Sequence, residues 1–190
     1  MAEQVNGQQK ILANQYDTYN HWRNYALNHG VNVDWKYKNQ CWDICCLLWI
    51  QYGLWLYTGP MGLAYECYAI SRDRNAVFPF SKVTKKVDIK RGDCLVFFPS
   101  GLNFAGHICF ADEDYNGTDT LNCLGQNQGQ GTSWGTPSNI VPLNLRRFMG
   151  GFRNKNWEGE EPTPPQPSGF ITKKGFPWVL YARKFRNGLR

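Results

Sequence analysis

Three residues of the 190-residue chain carry the functional groups of acyl transfer. Cys41 opens a long apolar segment, His107 sits in a short apolar run, and Asn127 lies in a polar loop just after the next such run. A thiol is a strong nucleophile only as thiolate. A helix N-terminus favours that anion through its dipole and free N–H groups, and a nearby imidazolium adds to the effect. A histidine on a neighbouring strand can take the thiol proton and later give it to a leaving amine. A carboxamide behind it can hold the imidazole in one tautomer, as in the Cys-His-Asn arrangement. The other six cysteines, among them Cys45, Cys46, Cys94, Cys109 and Cys123, fall in apolar runs and read as small core residues. His21 and His29 lie on or near the first helix and read as solvent-facing or capping residues.

The elements that must position these residues follow from periodicity. Residues 8–29 carry Ile11, Leu12, Tyr16, Tyr19, Trp22, Tyr25 and Ala26 at spacings of three and four, which predicts an amphipathic helix stopped near Gly30. A second helix starts at Cys41 and is apolar nearly all round, so it is expected to be central and to run to Thr58-Gly59-Pro60. Residues 61–70 suggest a shorter third helix. Strands are predicted at Asp93–Phe98, Gly106–Asp112 and Thr120–Leu124, with Asn116-Gly117 as the turn between the last two and a fourth strand at Arg146–Arg153. In the second strand His107, Cys109 and Ala111 share one face. Helices first and antiparallel strands after them make the class α+β.

Composition narrows the function classes. Hydrophobic residues are 42% and aromatics 15%, enough for a core and against wholesale disorder. No run approaches the ~18 apolar residues of a transmembrane helix. The start, MAEQVNGQQK, has no charged patch followed by an apolar stretch, so no secretory signal is expected. Seven cysteines without an export signal and without a C-x-x-C pair read as reduced thiols rather than as disulfides or a zinc site. The net charge of +6 resides in residues 162–190, which hold six basic residues and no acidic one, while residues 1–161 balance to zero. That argues against the whole chain as a nucleic-acid binder. The proline-rich stretch around Pro162–Pro167 marks a linker at 158–168 between a body, 1–157, and a basic aromatic tail, 169–190. The tail could pack on the body, attach to an anionic envelope, or bind nucleic acid.

The order and spacing of several short motifs resemble the CHAP domain (cysteine, histidine-dependent amidohydrolase/peptidase) over about residues 10–153. They are Gln40-Cys41-Trp42-Asp43 at the head of the apolar helix, Arg91-Gly92-Asp93 before a strand, Gly106-His107-Ile108, and Gln126-Asn127 after the following strand. The resemblance implies a papain-like fold and cleavage of amide bonds in bacterial peptidoglycan, as in phage endolysins and virion-associated hydrolases. Such proteins reach the wall through a holin pore or with the virion. It makes Cys41 the nucleophile, His107 the general base, and Asn127 the residue that orients His107, with Gln126 as the alternative. Gln40 and the Cys41 backbone N–H would form the oxyanion hole. Many members carry Glu two residues before the Asn; here that position is Gly125.

The same resemblance brings in calcium. Asn32, Asp34, the Lys36 carbonyl and Asp43 stand where several endolysin domains bind it, and alternating oxygen ligands suit a hard cation. The other reading is a turn in which Asn32 and Asp34 satisfy backbone groups and Asp43 is a first-turn helix acid. Tyr37, Trp42 and Trp134 could line a substrate groove or pack in the core. Two rival functions remain open at this level: a non-catalytic virion or wall-binding protein of the same fold, and an intracellular cysteine amidase.

Overall fold

The structure, a computed structural model, is described for residues 16–27, 29–101, 103–129 and 135–158. Thr18 caps the first helix, α1 (Tyr19–Ala26), by accepting the His21 N–H at 3.0 Å. Residues 16–18 are not helical, so within the described residues the helix read from residue 8 starts at Tyr19. Residues 8–15 lie outside the described part. The second helix, α2 (Cys41–Gln51), buries every residue from Asp43 to Gln51, as its all-round apolar sequence requires. It ends earlier than expected, because Gly53 takes φ +69°. Gly53 N–H returns to the Ile50 carbonyl and Leu54 N–H to the Trp49 carbonyl, a Schellman stop that needs no proline. The third helix, expected over 61–70, is the short α3 (Glu66–Ala69), and a further short helix, α4 (Arg72–Asn75), follows beyond the expected range.

Among the described residues, six antiparallel strands follow: β1 (Phe80–Val83), β2 (Cys94–Phe97), β3 (His107–Ala111), β4 (Thr120–Gly125), β5 (Asn139–Asn144) and β6 (Phe148–Asn154). Their order in the sheet is β1-β6-β2-β3-β4-β5. The architecture is therefore α+β, with N-terminal helices on an antiparallel sheet. The predicted strands are present with slightly moved ends, and β1 and β5 are additions. Arg146 and Arg147, expected to begin the last strand, lie instead in a 3-10 turn, Leu145–Arg147.

That turn shapes the whole sheet. It joins β5, at one edge, to β6, next to the other edge. A 3-10 link of this length spans roughly 8 Å at ~2 Å per residue. Four strand spacings in a flat sheet would separate the same strands by roughly 19 Å. The sheet must curl, and the irregular register between Val96 and Phe97 against β6 adds local bend.

Curling makes two apolar layers. Alternation sends Phe80, Phe110 and Phe152 toward the helices, where Trp49 stacks on Phe80 with centroids 3.8 Å apart and Trp22 meets Phe110 edge-on at 5.6 Å. Leu95, Phe97, Cys109, Ala111, Leu121, Cys123 and Leu145 fill the inside of the curl. His107 lies on this inner face at the start of β3, as the alternation predicts.

Candidate active site

Cys41 is the first residue of α2, and Gln40 is its N-cap. Asp43 fixes this helix start to the preceding loop. Its Oδ2 accepts the Gln40 N–H at 2.7 Å, and its Oδ1 accepts the Val33 N–H at 2.8 Å. Burial pushes the Asp43 carboxyl up to about 7, against the backbone N–H groups of Gln40 and Val33, while nearby Asp34 pushes it further up. Asp34 Oδ1 accepts the Lys36 N–H at 2.8 Å, an Asx turn. Trp35, Tyr37 and Lys38 all hold left-handed φ, at 62°, 53° and 62°. Each is a conformation that costs a non-glycine residue on the order of 1 kcal/mol or more, so the surrounding bonds hold the loop in shape.

His107 opens β3, opposite Phe97 of β2. The Cys41 thiol meets the backbone amide of Ile108, the next residue, so the helix start and the strand start converge. Burial pushes the Cys41 thiol up to about 11, and the amides of Ile108, Trp42 and Cys41 pull only partly the other way. Burial also holds His107 below its ordinary 6.5, opposed by its bond to Gln128. Both shifts favour the uncharged forms, the thiol and the imidazole. For Cys41, burial outweighs these amides.

The partner of His107 is Gln128, not Asn127. Gln128 Oε1 lies 2.8 Å from His107 Nε2. Its Nε2 donates to the Cys123 carbonyl at 2.8 Å and to the Asn139 carbonyl at 2.9 Å. Both amide hydrogens are engaged, so the oxygen must face the imidazole, and His107 Nε2 must carry the hydrogen. Nδ1 is then the unprotonated nitrogen.

Asn127 has a different task. Its φ of 53° turns it off the line of β4, and its Nδ2 donates to Gln40 Oε1 at 3.3 Å. Gln40 Nε2 in turn donates to the Tyr37 carbonyl. The Gln40 amide is therefore held by its oxygen and by one N–H, leaving its second N–H uncommitted by these bonds. Gln126, the alternative partner for His107, is fully buried and instead ties loop to helix. Its Nε2 donates to the carbonyls of Val31 at 3.0 Å and Gln40 at 2.8 Å.

Gly125 explains how Gln128 reaches His107. A Cβ at residue 125 would lie 2.8 Å from Gln128 Oε1 and 2.8 Å from Cys109 Cβ. The space that a side chain at 125 would occupy is filled by the Gln128 carboxamide. The sequence signal was the glycine itself, standing where a Glu was expected.

Of the groove candidates, Tyr37 is 73% exposed. Trp42 is half-buried, donates its Nε1–H to the Leu56 carbonyl at 3.0 Å and packs edge-on against Trp55. It is held as a structural residue. Trp134 lies outside the described residues, as do residues 159–168 of the linker and the whole tail. His21 and His29 are exposed, as expected. Beside His107, a cavity of about 550 Å³ opens at the mouth of the curled sheet. Among the described residues no group of three or more His, Cys, Asp or Glu converges on one point, and no helix is long and apolar enough to cross a membrane.

No protein-family model matches the chain, and no curated protein does. Among solved structures, the chain is similar to the crystal structure of the wild-type endolysin LysIME-EF1, with a TM-score of 0.60 and 21% sequence identity. The match covers 74% of this chain and 64% of the endolysin chain, so it spans under two thirds of that protein. At this identity the likeness establishes a shared fold.

Proposed function

We propose that the chain is a cysteine-dependent peptidoglycan hydrolase of the phage lysin type. The observation that carries the reading is the convergence of Cys41 with the His107–Ile108 strand start, with Gln128 fixing the His107 tautomer. The endolysin fold and the CHAP-like motifs support the same substrate class.

The reaction follows from the protonation states. His107 Nδ1 takes the Cys41 proton as the sulfur attacks an amide carbonyl. Charge develops on the carbonyl oxygen, where the Cys41 backbone N–H and the second Gln40 N–H stabilise it. Imidazolium His107 protonates the leaving amine, the C–N bond breaks, and a thioester remains. His107 then deprotonates water, which attacks the thioester and releases the acid and the thiol. Because thiol and imidazole are both neutral at rest, proton transfer accompanies attack. The bond is a peptide link of the stem or cross-bridge, or the N-acetylmuramoyl-L-alanine amide.

The test is mass spectrometry of fragments released from purified sacculi by the wild type and by Cys41→Ala. New amine and carboxyl termini are expected from the wild type alone. Equal release by Cys41→Ala would sink the cysteine mechanism.

Calcium belongs to the same proposal. Asn32 Oδ1 is buried without a hydrogen-bond partner, and Asp34 and Asp43 lie close enough to repel. A cation held by these three side chains and the Lys36 carbonyl would satisfy the first and relieve the second. It would stiffen the loop that presents Gln40 and Cys41. Only two of the four ligands are charged, which predicts weak affinity.

A further inference from the structure

We propose that the cavity beside His107 is a subsite that reads a carboxylate on the peptide substrate, with Arg147 as the reading residue. This rests on the hydrolase reading above and adds to it the charge of the segment bound next to the scissile bond.

The position comes from the fold. The curl of the sheet leaves its inner layer open at one end, and His107 stands on the rim of that opening. His107 and Asn127 both line the cavity, so a chain bound at His107 can continue into it on one side. The volume, about 550 Å³, falls in the range of ~300–1,000 Å³ typical of ligand sites. Phe98 and Leu143 give it apolar walls, and Asn103 adds a neutral amide.

The charge is one-sided. Arg146 and Arg147 line the cavity, and no Asp or Glu does so among the described residues. Arg146 is engaged: its Nε pairs with Asp119 at 3.1 Å. The Arg147 guanidinium has no ion-pair partner among the described residues. Its backbone is nevertheless fixed, since its carbonyl accepts the Phe98 N–H at 2.9 Å and the preceding turn is anchored by buried Leu145. A guanidinium on a fixed backbone beside apolar walls suits a carboxylate, which it can bind bidentately. An amidated or cationic segment gains nothing from it.

The experiment uses full-length Cys41→Ala, which binds without turnover, and two synthetic stem peptides. Both have the sequence L-Ala–D-γ-Glu–L-Lys–D-Ala. One has free carboxylates, and in the other both are carboxamides. Calorimetric titration is expected to show the acid binding about tenfold tighter, as a charged hydrogen-bonded pair warrants. The preference should vanish with Arg147→Gln and persist with Arg146→Gln. Equal binding of the two peptides, no binding of either, or a preference that survives Arg147→Gln overturns the proposal. Release of fragments by the wild type tests the hydrolase reading separately. A protein that cleaves sacculi but binds both peptides equally loses the subsite and keeps the reading. One that prefers the acid but cleaves nothing does the reverse.

Discussion

Gln128 Oε1 sits 2.8 Å from His107 Nε2, and it does so through space that a side chain at residue 125 would fill. A neutral amide thus stands where a carboxylate could have stood. The difference matters electrostatically. A carboxylate beside the imidazole would favour imidazolium. The amide fixes the same tautomer with a much weaker pull toward the charged form. With burial acting against charge, His107 stays neutral and ready to accept a proton.

Removing that amide gives the first prediction. Gln128→Ala frees His107 to adopt either tautomer and leaves the Cys123 and Asn139 carbonyls without their donor. A fall in kcat on the order of tenfold to a hundredfold is expected, part of the ~10²–10⁴ that acid–base catalysis supplies. KM should change little. Gln128→Glu should be worse for stability than for tautomer choice, because it sets a carboxylate against two carbonyl oxygens, at a cost of about 1–3 kcal/mol. Denaturant melts and kcat/KM–pH profiles of both variants check this. An unchanged kcat in Gln128→Ala would remove Gln128 from the mechanism.

Gly125 and Gln128 should behave as one unit. Gly125→Ala places a Cβ against Gln128 Oε1, so the amide must leave His107. Its kcat loss should match that of Gln128→Ala, and the double variant should be no worse than either single one. Kinetics of the four-member cycle measure the coupling. Fully multiplicative losses would mean that the two residues act separately.

The legible and illegible parts of this chain divide along physical lines. α2 was readable because an all-round apolar helix has one place to go, the centre. β3 was readable because Ile108–Ala111 is a short, continuous apolar run of strand length, buried on both faces. β5 was not, since Asn139–Asn144 contains Pro142 and is half-exposed, features a strand tolerates only at a sheet edge. β1, at the other edge, is short and carries a lysine. In the site, Cys41 and His107 were marked by residue type and by their places at element starts. Gln128 was hidden among three successive carboxamides of nearly equal chemistry. What separates their roles is backbone: the left-handed turn at Asn127 sends that residue to Gln40 and folds the next one back beneath Gly125. Side-chain chemistry alone does not encode that turn.

The left-handed Asn127 gives a prediction that splits geometry from chemistry. Asn127→Gly keeps the backbone at ease at φ +53° but removes the donor to Gln40 Oε1. Its melting temperature should stay near wild type while kcat falls, because the Gln40 amide loses its fixed orientation toward the oxyanion. Asn127→Ala should lose activity similarly and stability as well, by about 1 kcal/mol. If Asn127→Gly retains full kcat, Asn127 serves the turn alone.

Chelation should act on the loop before Cys41. Removing calcium is expected to lower both melting temperature and hydrolysis of sacculi, with calcium restoring both. Asn32→Ala should abolish the calcium-dependent rise in melting temperature without touching Cys41 or His107. A melting temperature indifferent to calcium, after extensive chelation, would leave Asp34 as a turn residue and Asp43 as a helix-start brace.

The depressed His107 value sets the response to pH. The imidazole must be neutral to accept the Cys41 proton, so the acid limb of kcat/KM should lie below pH 6.5. Stability is linked to the same group. The unfolded chain binds the His107 proton near pH 6.5, while the folded chain resists it until lower pH. Between those two values the unfolded state holds more protons, so stability rises with pH there. The contribution is fully present above 6.5 and is lost as pH falls toward the folded value. Melting curves from pH 7.5 to 5 should therefore drop more steeply for the wild type than for His107→Gln, which cannot titrate. Parallel curves, or an acid limb at or above 6.5, would show that burial does not keep His107 neutral.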